Sequence, residues 1–464
     1  FIILGGSGDL AKKKLIPAIY RLALKKKISN YAVISTSRRS KIKNLLEEYS
    51  KYVKEPDKKV WSDLSGRIYH FNIDFDKKEG FKDLDKFIKK IEKKHKISGN
   101  RLFYLATLPE HFKTIAENLK KYNSAHQNNI WSRVVFEKPF GGNLATAKSL
   151  NNCISKVFNE EQIYRIDHYL GKELVQNLSI MRFTNTILEP LWNKDYIDHV
   201  QIVLSENVGI EQRGNFYDNY GALKDVVQNH MLQLVALTAM ESPKKLTEKH
   251  IRDEKVKILK SIKVKDVVLG QYKGYKEEKG VDKNSKTETF AALKLNINNR
   301  RWKNVPFYLI AGKNLKEKFS CIYVEFKKSP CLLFSGICNF MPNFFAIQIQ
   351  PEEGFYIQLN VKTPEKTEIV PVNMDFCHSC IFGNSPEAYE NLLLDVIKGD
   401  QSTFIRSDEI EEAWKIIDKI NKSKICIYEP KSLPKEAANL IQKDGRNWHL
   451  TIKYLTGQNN TNSK

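Results

Sequence analysis

Nine consecutive residues, Arg165-Ile166-Asp167-His168-Tyr169-Leu170-Gly171-Lys172-Glu173, gather cations, a carboxylate and a phenol around one imidazole. Such a density of polar groups suits an anionic ligand, although a helix start with a solvated basic face would read the same way. A second chemical word opens the chain. Gly5-Gly6-Ser7-Gly8-Asp9-Leu10-Ala11 follows the apolar run Phe1 to Leu4 and leads through Lys12 into the helical spacing of Leu15, Ile19 and Leu22. Gly6, Gly8 and Ala11 fit the pattern G-x-G-x-x-A, in which glycine lets the backbone turn tightly and approach a pyrophosphate while helix amides bind the anion. An ordinary glycine turn is the alternative. Lys12, Lys13 and Lys14 oppose the helix dipole there unless an anion lies close by. The third word is Arg38, at the end of the run Tyr31 to Ser35 and its continuation Thr36-Ser37-Arg38-Arg39. A dinucleotide-binding unit reads the adenosine ribose at that point, and no acidic residue stands there to accept from a 2′-hydroxyl. Arg38 offers a planar cation to a 2′-phosphate instead, which predicts NADP over NAD, with a plain surface arginine as the other reading.

Those words need strands and helices to hold them. Ile68 to Asp74, Arg101 to Ala106 and Arg133 to Phe136 read as further strands, with the amphipathic run Phe81 to Lys94 between the first two. The last strand passes directly into Glu137-Lys138-Pro139-Phe140-Gly141. Strands alternating with helices predict an α/β Rossmann domain, a doubly wound parallel sheet, over residues 1–165. From 166 to 456 the pattern changes. Leu223 to Met240 has helical spacing and includes His230, while Thr289 to Ile297, Phe307 to Ala311, Ser320 to Phe326, Phe345 to Gln350 and Phe355 to Val361 alternate like strands. This predicts a larger α+β domain with a mainly antiparallel sheet. Gln271 to Thr287 reads as a long surface loop, and 457–464 as a disordered tail.

Composition limits the classes. At 464 residues, 41% of them hydrophobic and 11% aromatic, the chain can bury two sizeable cores. No apolar run approaches a membrane span, and Phe1 to Leu4 is too short for a signal peptide, so a cytoplasmic protein without a membrane partner is expected. The chain opens without methionine and already inside a strand, so a few residues are expected ahead of Phe1. A formal charge of +22 raises nucleic-acid binding, but the lysines are spread along the chain and form no stripe flanked by stacking aromatics. Solvated surface charge is the better reading, and it would steer phosphorylated substrates. Seven cysteines at irregular spacing argue against a disulfide framework. Cys377-His378-Ser379-Cys380 lacks a second ligand pair at metal spacing, so neither a zinc site nor a redox pair is expected there, and no metal is assigned.

Six words in collinear order, GGSGDLAKKKLIPAIY at the start, EKPFG at Glu137, RIDHYLGKE at Arg165, DVVQNHMLQ at Asp225, VPFYLIAGK at Val305 and RSDEIEEAW at Arg406, resemble the glucose-6-phosphate dehydrogenase family over nearly the whole chain. The resemblance implies oxidation of glucose 6-phosphate at C1, with hydride passed to NADP and 6-phosphogluconolactone as product. It implies homodimers or homotetramers. By its spacing alone His230 reads as a core histidine; the family word makes it the base for the C1 hydroxyl, a task that suits imidazoles as a class. Asp167 would hold its ring and stabilise the imidazolium. His168, Tyr169 and Lys172 would bind the phosphate, Glu206 and Asp225 would accept from sugar hydroxyls, and Lys313 and Lys318 would approach from the second domain. Lys138 would meet both coenzyme and substrate, and Pro139 is a candidate for a cis bond. Gly5 to Lys12 would cradle the pyrophosphate, Arg38 the 2′-phosphate, and Ile73 and Asp74 the adenosine end. Thr107 stands where the family often has paired prolines, and Phe319 where animal members place a basic contact for a second, structural NADP, so that extra site is not expected. An oxidoreductase for an unphosphorylated sugar would keep the glycine turn without needing His168 and Lys172. A non-enzymatic basic protein would keep the fold alone.

Overall fold

The computed structural model describes residues 1–38, 41–122, 130–329, 341–364, 368–383, 386–421 and 424–451; the expected tail lies outside them. Two compact units divide the chain. The first comprises Phe1–Gly171, Leu246–Arg252 and Pro386–Glu411, the second Lys172–Lys245, Asp253–Ser385 and Glu412–Lys464.

In the first unit, β1 (Ile2–Leu4), β2 (Val33–Ser37), β3 (Ile68–Asn72), β4 (Arg101–Leu105), β5 (Ser132–Phe136) and β6 (Ile163–Arg165) form one sheet in the order β3-β2-β1-β4-β5-β6. Every pairing is parallel. β1, β2 and β4 are buried along their whole length, as expected of a sheet covered on both faces. Strand order reverses between β1 and β4, which opens a crevice at the carboxyl ends of those strands. The segment Pro386–Glu411, expected from sequence within the second domain, belongs to this first unit. Its helix Ala388–Lys398 packs on the helix Ile16–Leu24, with Leu392, Leu393 and Val396 joining Ile16 and Ile19 in one core. The buried Glu390 carboxylate accepts from Arg21 Nε at 2.5 Å and Lys25 Nζ at 2.8 Å.

The second unit is built on a nine-stranded sheet. β7 (Ile197–Ser205), β8 (Ile262–Tyr272), β9 (Phe290–Ile297), β10 (Pro306–Gly312), β11 (Phe319–Phe326), β12 (Phe344–Gln350), β13 (Gly354–Lys362), β14 (Ile369–Cys377) and β15 (Ile425–Tyr428) lie in the order β14-β13-β12-β11-β7-β10-β9-β8-β15. Pairing is antiparallel except for β7 with β10 and β8 with β15. The expected fold class, a Rossmann sheet plus a larger α+β unit, is the one present. No helix among the described residues is long and apolar enough to cross a membrane.

Two further expectations need correction. The stretch Gln271 to Thr287 is not a surface loop throughout: Gln271 and Tyr272 finish β8, and Tyr275 is fully buried. Asp218 pins the rest, its carboxylate accepting from Tyr275 Oη at 2.9 Å, from the Ser285 hydroxyl and from the Asp282 amide at 3.2 Å. Cys377 and Cys380 form a disulfide with their Cα atoms 5.2 Å apart. One turn of chain at the end of β14 brings them within bridging distance, so irregular spacing of cysteines elsewhere has no bearing on this pair.

The start of β7 is tied down by the chain's last described segment. Arg446 donates twice to Asp198, at 2.7 and 3.0 Å, and the Gln201 amide bridges Asn447 O at 2.9 Å and the His449 amide at 3.0 Å. Burial opposes ionisation of Asp198, yet hydrogen bonds from His199 and Arg446 outweigh it and hold this carboxyl well below the usual range. A depressed carboxyl stabilises the fold above its ordinary pKa of about 4, and that contribution is lost as pH falls through the lowered value. Arg446→Met is therefore expected to cost about 1–2 kcal/mol at pH 7 in urea denaturation, with the deficit narrowing below pH of about 4. Equal deficits at pH 7 and about 3 would contradict this.

Candidate active site

The first unit supplies an anion cradle. Gly5 and Gly6 both donate to Thr36 O, at 3.2 and 2.7 Å, which bends the chain sharply off the end of β1, and Gly8 N donates back to Gly5 O at 3.0 Å. Gly5 has φ +99°, and a Cβ there would lie 2.4 Å from Ala106 O. At Gly6 a Cβ would run into the Ser35 side chain. These positions therefore need glycine, and the turn sits beside the point where strand order reverses. The hydroxyls of Thr36 and Thr107, next to this turn, are buried without a hydrogen-bond partner among the described residues. A dinucleotide pyrophosphate laid on the turn fits this combination of bare backbone, helix start and unsatisfied donors. Ser7, Asp9, Leu10 and Ala11 follow in the turn and first helical residues. The flanking lysines each have a protein carboxylate: Lys12 pairs with Glu48, Lys13 with Asp9 at 2.8 Å and Lys14 with Glu387 at 3.5 Å.

Arg38 follows β2 and lies on the surface. Its guanidinium meets Asp74 at 3.7 Å and Asp76 at 3.5 Å, so the structure brings together two residues expected at the adenosine end. Ile73 is buried, with its amide on Ser37 O at 2.9 Å. Lys138 follows β5, and the Lys138–Pro139 bond is cis. Beside it Glu137 accepts from Tyr104 Oη at 2.5 Å and Tyr389 Oη at 3.1 Å. Burial, with Asp167 also contributing, pushes the Glu137 carboxyl up, while the two phenols and Lys138 pull the other way. Sequence reasoning missed this cluster because Tyr389 is 252 residues away and carries no local signal.

The Arg165–Glu173 word carries the chain from the first unit into the second. Asp167 is buried and folds back on its own loop, its Oδ1 accepting the Tyr169 amide at 2.9 Å and its carbonyl the Leu170 amide at 3.0 Å. That turn sets the His168 and Tyr169 rings 5.0 Å apart, both half-buried. Gly171 leaves room for Leu392, which a Cβ would approach to 2.8 Å. Lys172 is the residue just before the helix Glu173–Thr184.

In the second unit, the parallel register pairs Gly312 with Ser205, so β7 and β10 end side by side. Glu206 and Lys313, the next residues, form an ion pair of 2.5 Å, and Glu206 N donates to Gly312 O at 2.9 Å. Lys318 is exposed just ahead of β11. His230 and Asp225 are buried on a π-helical stretch, Leu223–Met231, that continues as the α-helix Leu232–Ala239 and packs on β9 and β10. Arg213 reaches Asp225 at 3.6 Å. Nearby Tyr217 is fully buried, and burial with the Asp225 and Glu288 carboxylates drives its phenol far up.

The helix carrying His230 ends among buried donors. Arg182 donates to the carbonyls of Leu237 at 3.1 Å and Met240 at 2.9 Å, Trp192 Nε1 to Thr238 O at 2.8 Å, and Trp302 Nε1 to Ala239 O at 2.7 Å. These carbonyls would otherwise be orphans at a helix end sealed from water. Burial pushes the Arg182 guanidinium down to about 10, with Glu189 opposing the shift.

Models of two glucose-6-phosphate dehydrogenase domains match this chain, the NAD binding domain over residues 2–177 and the C-terminal domain over 179–449. The chain belongs to the glucose-6-phosphate dehydrogenase family. As a member of that family it is an oxidoreductase. It is 41% identical to the glucose-6-phosphate 1-dehydrogenase of Chlamydia muridarum (strain MoPn / Nigg), over 96% of each chain. It is 42% identical to the cytoplasmic isoform of Solanum tuberosum, over 96% of this chain and 91% of that one. A solved glucose-6-phosphate dehydrogenase in complex with its substrate glucose-6-phosphate superposes with a TM-score of 0.89 at 34% identity, covering 97% of this chain and 98% of the other.

Two outcomes test this geometry. Trp192→Phe, which strands the Thr238 carbonyl, is expected to cost about 1–3 kcal/mol in thermal or urea unfolding, and a cost under about 0.5 kcal/mol would contradict the role of the buried cap. Gly5→Ala is expected to weaken binding of a reduced nicotinamide dinucleotide at least about tenfold in a fluorescence titration. Gly142→Ala, where a Cβ meets nothing within 4 Å, should leave it unchanged. Equal affinities in all three proteins would remove the turn from the coenzyme site.

Proposed function

We propose that this protein oxidises D-glucose 6-phosphate at C1 to 6-phospho-D-glucono-1,5-lactone with NADP, the first step of the oxidative pentose phosphate pathway. The observation that carries the reading is the side-by-side ending of β7 and β10, which sets Glu206 against Lys313 on the sheet that the helix of His230 covers. A donor and an acceptor fixed together suit a sugar's hydroxyls, and an imidazole held on a rigid helix suits removal of one hydroxyl proton.

In this reading the family roles fall as follows. Gly5, Gly6, Ser7, Gly8, Asp9, Leu10, Ala11 and Lys12 hold the pyrophosphate, Arg38 the 2′-phosphate, Ile73 and Asp74 the adenosine end, and Lys138 the nicotinamide side. NADP, when bound, supplies the oxidised ring that takes up hydride. His168, Tyr169 and Lys172 hold the 6-phosphate, where charge-assisted bonds to a dianion are stronger than neutral ones. Glu206 and Asp225 accept from ring hydroxyls, with Lys313 and Lys318 as donors. His230 takes the proton of the C1 hydroxyl as the C1–O bond becomes a carbonyl. Asp167 orients that imidazole and stabilises its charged form, a positioning role that adds to the rate through geometry and electrostatics. We place the enzyme in the cytoplasm, as the name of the Solanum tuberosum relative says of that protein, and as a homodimer or homotetramer, the assembly its family resemblance implies.

The test is steady-state reduction of NADP by glucose 6-phosphate. His230→Asn is expected to lower kcat by about 10² to 10⁴ with KM for the sugar phosphate within about threefold of wild type. Activity near wild type in that variant would reject His230 as base. Glucose without its phosphate as the better substrate would reject the sugar phosphate itself.

A further inference from the structure

Around Arg38 the charges do not add up to a site built for an anion alone. One guanidinium faces two carboxylates, Asp74 at 3.7 Å and Asp76 at 3.5 Å, and their side chains are 59%, 39% and 63% exposed. Among the described residues in contact, that is one positive charge against two negative. Asp74 is committed to its own turn, its Oδ1 accepting the Asp76 amide at 3.3 Å and its carbonyl the Lys77 amide at 3.1 Å. Asp76 is the more exposed of the two. Asp76 also faces the imidazole of His111, with Nδ1 3.7 Å from Oδ1, and that ring faces Glu110 at 3.6 Å.

A 2′-phosphate brought to Arg38 would have to displace the Asp76 carboxylate from the guanidinium or tolerate it as a like charge a few ångströms away. An unphosphorylated ribose meets no such penalty. Its 2′-hydroxyl is a donor, and a carboxylate at the end of a second strand region is the acceptor such hydroxyls use. We propose that Asp76 sets the coenzyme discrimination of this enzyme: it competes with the 2′-phosphate for Arg38 and offers an acceptor to the ribose of NAD. The enzyme then uses both coenzymes, with a preference for NADP smaller than Arg38 alone would impose. This inference rests on the reading of Arg38 as the 2′-phosphate ligand. The local sequence hid it, because Asp76 lies in Asp74-Phe75-Asp76, after the third strand, and not at the end of the second strand where an acidic ribose ligand is looked for.

Calorimetric titration of the full chain with adenosine 2′,5′-bisphosphate and with adenosine 5′-monophosphate isolates this contact from catalysis. Asp76→Asn is expected to tighten the bisphosphate by about 3- to 10-fold while leaving the monophosphate unchanged or up to about threefold weaker. The gain should shrink at high salt, since all the groups are exposed. Arg38→Ala is expected to weaken the bisphosphate alone. If Asp76→Asn leaves the ratio of the two affinities at the wild-type value while Arg38→Ala lowers it, the proposal for Asp76 is overturned and the reading of Arg38 stands. If Arg38→Ala weakens both ligands equally, 2′-phosphate recognition by Arg38 fails, and the inference fails with it.

Discussion

The carbonyl end of the helix that bears His230 is closed by Arg182, Trp192 and Trp302, all buried. Everything proposed for the chemistry depends on that closure. A helix end inside a protein leaves carbonyls that water cannot reach, and each one left without a donor costs about 1–3 kcal/mol. Three large side chains from outside the helix satisfy four successive carbonyls, so the helix can neither slide nor unwind without losing several bonds together. At its other end the Leu223 amide donates to Glu288 Oε1 at 3.2 Å and the Ala222 amide to Glu288 O at 2.9 Å, where Gly221 adopts φ +67° and has no room for a side chain. An imidazole on a segment fixed at both ends is held in one place, which is what a base must be if proximity is to lower a barrier.

The second constraint is one of topology. In a sheet that is otherwise mainly antiparallel, β7 and β10 run the same way, so their carboxyl ends coincide and Glu206 and Lys313 become neighbours without being close in sequence. β7 is anchored at its start by the Asp198–Arg446 pair and at its end by this ion pair. In the first unit the parallel sheet does the corresponding task. It delivers the glycine turn, Arg38 and Lys138 to the carboxyl ends of β1, β2 and β5. Both units therefore use strand direction to collect residues from distant parts of the chain, and both leave the collected groups polar, close and fixed.

What could be read from the sequence was what is local. The glycine turn, the helix of His230 and the strands with clean apolar runs or alternation are encoded within a dozen residues each, and they stand where expected. β6 has three residues, too few for a pattern. β7 lacks a clean strand pattern because Asp198, His199 and Gln201 interrupt its apolar residues; they are satisfied by one another and by Arg446 and Asn447, some 250 residues away. The return of Pro386–Glu411 to the first unit rests on Glu390 meeting Arg21 and Lys25 and on Tyr389 meeting Glu137, again distant pairs. For the cysteines the reverse holds: irregular spacing along the whole chain says nothing of Cys377 and Cys380, whose three-residue separation already permits the bond. Among the site residues, the roles of Asp167, His168 and Lys172 came from family resemblance, since a buried carboxylate and a basic helix start have many ordinary uses.

In the proposed reaction the helix of His230 presents its imidazole to the C1 hydroxyl of a sugar held by Glu206 and Lys313. A crystal structure of this chain with glucose 6-phosphate bound measures that directly. The C1 oxygen is expected within about 3 Å of a His230 ring nitrogen, with a ring hydroxyl on the Glu206 carboxylate. A sugar bound with C1 turned away from His230, and Glu206 and Lys313 still paired only with each other, would contradict it.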